Sequence, residues 1–175
     1  MMKRGIRQGL ASILLLTAIG FATPLAAMQF NLEGMQELQE RGLKLAELAD
    51  QLKRLALIGS EPRQCLEIVG AITNPNQEVR IAPCNTEHRQ KWKFDEERRL
   101  VSAGGTCLDI KGNPATPGTP LKNEVCRKGE RQVWRQNENG RLLNHANLCL
   151  DASDNRVAMR PCSPEAPRQR WQLID

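Results

Sequence analysis

Arg89-Gln90-Lys91-Trp92, Arg131-Gln132-Val133-Trp134 and Arg168-Gln169-Arg170-Trp171 are one phrase written three times in the second half of a 175-residue chain. A second phrase keeps step with it: Cys65-Leu66-Glu67-Ile68, Cys107-Leu108-Asp109-Ile110 and Cys149-Leu150-Asp151-Ala152. Cys65 to Cys107, Cys107 to Cys149 and Trp92 to Trp134 each span 42 positions. A fixed period of that length signals a repeat architecture. Working outward, Leu57-Ile58, Leu100-Val101 and Leu142-Leu143 precede the first cysteine of each unit. After the cysteine phrase comes a turn, as in Gly112-Asn113-Pro114-Ala115-Thr116-Pro117-Gly118, and then an apolar segment such as Val79-Arg80-Ile81 or Val157-Ala158-Met159. Gln-x-Trp closes the unit.

Each unit therefore holds four short strands, about twelve in all, and evenly spaced short strands with turn signals predict an all-β barrel. Three repeats of four strands point to a β-trefoil over residues 56–175. The three tryptophans are the only Trp in the protein. Large aromatics contribute most when buried, so Trp92, Trp134 and Trp171 are expected in the core. The Gln amide, with two donors and an acceptor, can tie strands together.

Ahead of the repeats the chain changes character. Lys3, Arg4 and Arg7 precede the uncharged apolar run Leu10–Ala22, and small residues end at Ala27. This reads as a cleaved export signal over residues 1–27. A membrane span needs roughly 20 apolar residues, so no stable anchor is expected after cleavage. Residues 28–55 read as an amphipathic helical extension, with Asn31 as N-cap and Glu33 in the first turn. Leu38, Leu45 and Leu52 fall seven apart with Met35, Gly42 and Ala49 between them, a stripe suited to packing on the following domain or to a helix-mediated dimer.

The leader also distorts the charge. The chain has 25 basic and 20 acidic residues. Removing the leader's three basic residues leaves 22 against 20, a net charge of +2. Without a clustered basic face, nucleic acid is not an expected partner. All six cysteines lie between positions 65 and 162. An even count in an exported chain implies disulfides, with 15 possible pairings. The pairing that respects the repeat is Cys65–Cys84, Cys107–Cys126 and Cys149–Cys162, each closing a loop worth on the order of 3 kcal/mol. A metal site is disfavoured by the absence of C-x-x-C and by having only His88 and His145. Nor does any set of residues suggest an enzyme or a cofactor: Ser153-Asp154-Asn155 lacks the companion motifs that would make it catalytic.

Cys-Leu-Asp with Gln-x-Trp in triplicate resembles the ricin B-type lectin family over about residues 56–175. The resemblance implies a secreted or periplasmic, non-catalytic carbohydrate-binding protein with one shallow sugar pocket per repeat at most. It implies that the carboxylate after Cys-Leu accepts hydrogen bonds from sugar hydroxyls; Asp109 and Asp151 match, and Glu67 stands in the first repeat. The stacking aromatic expected two residues before the second cysteine is Ala82, Glu124 or Arg160, and the Asn expected before Gln is Arg89, Arg131 or Arg168. Losing even 1.4 kcal/mol of stacking costs a factor of ten in affinity. The third repeat is also six residues shorter between its cysteines. The pockets are thus degenerate, and the second repeat is the least damaged. Candidate sugar-binding residues are Asp109, Gln132, Arg131 and Asn123, with Asp151 and Gln169 in the third repeat. An arginine fork before each Gln would suit an acidic sugar. The competing expectation is a trefoil that binds no sugar and serves as a protein-interaction or structural module, with a subunit of a larger secreted assembly as one form of it.

Overall fold

The computed structural model describes residues 35–175 except 45, 48, 49, 154 and 155. The expected leader over residues 1–27, Asn31, Glu33, Leu45, Ala49 and the Asp154-Asn155 pair lie outside the described residues. The chain is helical at residues 35–44, 46–47 and 50. The helical reading to residue 55 runs too far, because Lys53–Leu57 is strand β1. Leu55 and Leu57 are buried on it, and four of its residues pair with Trp171–Ile174, the final strand β12. The partner 120 residues away overrides the local helical spacing that Leu52 continues.

The mostly-β body has the twelve expected strands. In the first repeat β2 is Gln64–Ile68, β3 Val79–Pro83 and β4 Lys91–Phe94. The second has β5 Leu100–Ser102, β6 Thr106–Ile110, β7 Leu121–Val125 and β8 Arg135–Gln136. The third has β9 Leu142–Leu143, β10 Leu148–Asp151, β11 Ala158–Pro161 and β12. The first and fourth strands of each repeat form a barrel through the pairs β1–β4, β4–β5, β8–β9 and β1–β12. Bridges Arg99↔Val133 and Arg141↔Arg170 complete the ring. Hairpins β2–β3, β6–β7 and β10–β11 come together at one end through Glu78↔Lys122, Pro120↔Ala158 and Arg80↔Arg156. This is a β-trefoil.

Leu55, Leu100 and Leu142 from the first strands, Leu66, Leu108 and Leu150 from the second, and the three tryptophans fill the core. Each Trp indole N–H donates to the backbone carbonyl of its own repeat's Leu66, Leu108 or Leu150, at 3.0, 3.3 and 3.0 Å. The disulfides are Cys65–Cys84, Cys107–Cys126 and Cys149–Cys162, one inside each repeat.

The repeats are also clamped to one another. The loop after β2 reaches the turn between β5 and β6, where Thr106 Oγ1 donates to the Ile72 carbonyl at 3.2 Å. A Cβ at Gly104 would stand 2.3 Å from that carbonyl oxygen, so only glycine permits the approach. Gly104→Ala is expected to cost about 1–3 kcal/mol as overpacking does. Thermal denaturation checks this; an unchanged melting point would show that the loop yields freely.

Candidate functional site

The same polar unit is built three times. Each Gln of Gln-x-Trp ends a 3₁₀ turn, at His88–Gln90, Glu130–Gln132 and Pro167–Gln169, and all three are buried. The turn aims the amide inward. Its Nε2 donates to the carboxylate after Cys-Leu: Gln90 to Glu67 at 2.8 Å, Gln132 to Asp109 at 2.9 Å, Gln169 to Asp151 at 2.9 Å. The second N–H goes to the carbonyl of Pro83, Val125 or Pro161, at 3.0 Å in each case. The amide oxygen accepts the N–H of Asn85, Arg127 or Ser163 at 2.8–2.9 Å. Gln132 and Gln169 thus have every polar atom engaged, and what they present to a ligand is an oriented carboxylate.

The carboxylates are buried as well, which normally demands full pairing. In every repeat the outward oxygen faces an arginine. Glu67 Oε1 takes Arg80 Nη2 at 2.8 Å and Nε at 3.1 Å. Asp109 Oδ1 takes Arg131 Nε at 3.4 Å and the Ile110 N–H at 2.6 Å. Asp151 Oδ1 takes the Ser153 N–H at 2.8 Å and the Ser153 hydroxyl, with Arg160 Nε 3.7 Å away. The arginines come from different places: the residue opposite the carboxylate in the hairpin, the residue before Gln, and the position of the absent aromatic. Only Arg131 of the three arginines preceding Gln meets its carboxylate; Arg89 pairs with Glu87 at 2.7 Å, and Arg168 lines a cleft described below.

In the second repeat Asp109 and Arg131 come together, and Arg131 also bonds the Ile110 carbonyl. Lys122 lies opposite Asp109 in the hairpin register and pairs with Glu124 at 2.6 Å. That hydrogen bond, then the Val125 N–H, holds the Glu124 carboxyl below its ordinary range against the opposing effect of burial. Asn123 does not join this cluster. It lies opposite Leu108, on the other face of the hairpin from Asp109. Buried there, it bonds Asn74, Thr106 and the Gln77 N–H. Arg80 and Lys122 went unnoticed in the sequence; the position facing the carboxylate across the hairpin is the signal that finds them.

A closed six-stranded barrel, three hairpins at one end and a Gln–carboxylate–Trp unit in each repeat define a Gln-x-Trp β-trefoil. The chain belongs to the ricin-type β-trefoil lectin domain family, which matches residues 54–171. Lectin domains of this kind are carbohydrate-binding and in general not enzymes. The structure is similar to the β-trefoil lectin of Vibrio vulnificus hemolysin/cytolysin with N-acetyl-D-lactosamine bound, at 24% identity and TM-score 0.58, covering 71% of this chain and 93% of that one. It is also similar to the hemolytic lectin CEL-III, at 25% identity and TM-score 0.61, over 71% of this chain and 30% of that chain. The designed three-fold symmetric protein ThreeFoil shares the fold at 21% identity and TM-score 0.63, over 71% and 99%. No curated protein matches the sequence.

Proposed function

We propose that the protein is an exported lectin that recognises an acidic carbohydrate through its second repeat. The observation that carries the reading is the Arg131 guanidinium over Asp109. Arg131 is half exposed, and its 3.4 Å contact is the looser kind of ion pair. Asp109 is buried, so Arg131 leaves it only as a ligand hydroxyl takes its place on the carboxylate and the sugar's acid group takes up the guanidinium. Asp109 Oδ2 then stays oriented by Gln132, Oδ1 accepts a sugar hydroxyl, and the guanidinium turns to the sugar's acid group. Charge attraction replaces the stacking that Ala82, Glu124 and Arg160 do not supply. The other two sites lack a half-exposed arginine held by one long contact: Arg80 grips Glu67 through two N–H groups, and Asp151 Oδ1 is taken by the Ser153 N–H and hydroxyl. The three disulfides suit a secreted or periplasmic location.

Titration of galacturonate and of galactose into the labelled protein, followed by NMR, separates acid recognition from general sugar recognition. Galacturonate is expected to shift the Asp109 and Arg131 signals, with affinity falling as salt rises. Asp109→Ala and Arg131→Gln should each weaken it about tenfold or more, which is 1.4 kcal/mol. Equal response to galactose, or no response to either sugar, would overturn the reading.

A second reading is an interaction module without a sugar ligand, with a helix-mediated dimer as one form. Exposed Met35, Leu38 and Leu43 on the helix favour it. Sedimentation with and without residues 28–51 decides the dimer, the cut sparing β1; equal monomeric masses would eliminate it.

A further inference from the structure

Two of the three junctions between successive repeats are closed by a loop of the chain itself. After β2, Ile72-Thr73-Asn74-Pro75 lies against the β5–β6 turn and against Asn123 of β7, whose backbone N–H donates to the Gln77 carbonyl and whose carbonyl accepts the Asn76 N–H. After β6, the equivalent Pro114-Ala115-Thr116-Pro117, 42 positions on, lies against the β9–β10 turn. There Asn144 Nδ2 donates to the Pro114 carbonyl at 2.7 Å, and Gly118 and Thr119 pair with Met159 of β11. Both loops bend alike: the Asn74 N–H donates to the Ala71 carbonyl, and the Thr116 N–H to the Asn113 carbonyl. The shared pattern is an aliphatic or proline residue followed three positions later by proline.

The third junction, between repeat three and repeat one, breaks the pattern in three ways at one place. The loop after β10 belongs to the repeat whose cysteines are six residues closer. The β1–β2 turn is three residues longer than its equivalents, Leu55 to Cys65 spanning 10 positions where Leu100 to Cys107 spans 7. Ala152 stands where the other repeats have Ile68 and Ile110. Together they leave a cleft of about 360 Å³. Leu57, Ile58, Ile81 and Ala152 line it, with Glu61 and Arg168 of opposite charge among its polar lining. Ile81 occupies the strand position of Asn123 and Met159; those two are fully buried, whereas Ile81 is half-buried. Gln64 occupies the position of Thr106, which binds the incoming loop's carbonyl in the second repeat.

We propose that this cleft docks a short, turn-forming peptide of a partner protein, with the aliphatic-or-proline-x-x-proline pattern of the chain's own two loops. The peptide's first apolar side chain enters between Ile58 and Ile81, above the buried Ala152. Its carbonyl accepts from the Gln64 amide, as the Ile72 carbonyl accepts from Thr106. Glu61 and Arg168 offer complementary charge to polar residues flanking the motif. The site is separate from Asp109 and independent of any sugar.

The capped peptides Ala-Ile-Thr-Asn-Pro-Asn-Gln and Asn-Pro-Ala-Thr-Pro-Gly-Thr, copied from the two loops, are titrated into the labelled full-length mature protein. Shifts are expected at Leu57–Gln64, Ile81 and Arg168, with none from a scrambled peptide. Ala152→Ile, which restores the isoleucine of the other repeats and fills the floor, should weaken binding at least about tenfold. Gln64→Ala, at a partly exposed position, gives the same reading should Ala152→Ile fold poorly. Asp109→Ala should leave peptide binding unchanged. No shift from either peptide at saturating concentration, or shifts that both cleft substitutions leave intact, would overturn the proposal.

Discussion

Trp134→Ala is expected to lower the stability of the domain by about 3–5 kcal/mol, as truncation of a fully buried large aromatic does. The indole sits at 1% exposure and donates to the Leu108 carbonyl at 3.3 Å. Its loss leaves a cavity where the second repeat meets the barrel and a buried carbonyl without its partner. At about 4 °C per kcal/mol, the melting point should fall by about 12–20 °C. Urea unfolding followed by circular dichroism measures the change without relying on the fluorophore removed. A loss below about 1 kcal/mol would mean that the Trp site is not part of a close-packed core. Trp92→Ala and Trp171→Ala should behave alike, because each indole repeats the same bond to its own Leu carbonyl.

Gln132→Glu should cost about 3 kcal/mol at neutral pH, in the range for a broken buried charge interaction. The substitution is nearly isosteric but places a carboxylate oxygen where Nε2 now lies, 2.9 Å from Asp109 and 3.0 Å from the Val125 carbonyl. Two carboxylates at that distance share one proton, so one folded-state pKa rises above its unfolded value. A raised folded pKa means that stability is fully present below the unfolded carboxyl pKa of about 4 and is lost as pH rises through the folded value. Relative to the unaltered protein, the variant should be close to normal in acid and weakest at neutral and alkaline pH. Urea midpoints of the two proteins at acid and neutral pH provide the test. A deficit independent of pH would show that the Gln–Asp bond is not what the side chain supplies. Gln90→Glu, facing Glu67, should repeat the behaviour in the first repeat.

The fold was legible because it depends on features that recur at fixed distance. Cysteine and tryptophan spacing carries the strand order, the three bridges and the buried tryptophans. Two things escaped. The end of the helix was hidden because Leu52, Leu55 and Ala56 satisfy helical spacing locally, while β12, the strand partner of Leu55 and Ala56, lies far along the chain. The electrostatics of the site were hidden because a guanidinium reaches its carboxylate from whichever backbone is near. The three arginines before Gln, alike in sequence, read as forks for an acidic sugar, yet only Arg131 meets the carboxylate of its own repeat. The fold instead uses Arg80, Arg131 and Arg160, which share a location and no repeat position. Asn123 shows the same limit: one residue of strand register places a side chain on the opposite face, and the spacing of motifs does not report it.

The pairing of β1 with β12 also sets the order in which the molecule can be completed. Arg54 faces Ile174 and Leu57 faces Trp171, so β1 waits for β12. Lys53 Nζ meets the side-chain carboxylate of Asp175, just beyond β12, at 2.9 Å. Each repeat can oxidise its own disulfide as it emerges, since no bridge crosses between repeats. The ring itself cannot close until β12 has been made. The wide sequence separation of β1 from β12 raises the contact order that slows folding, and a chain ending before Trp171 would hold three stapled hairpins without a sealed barrel.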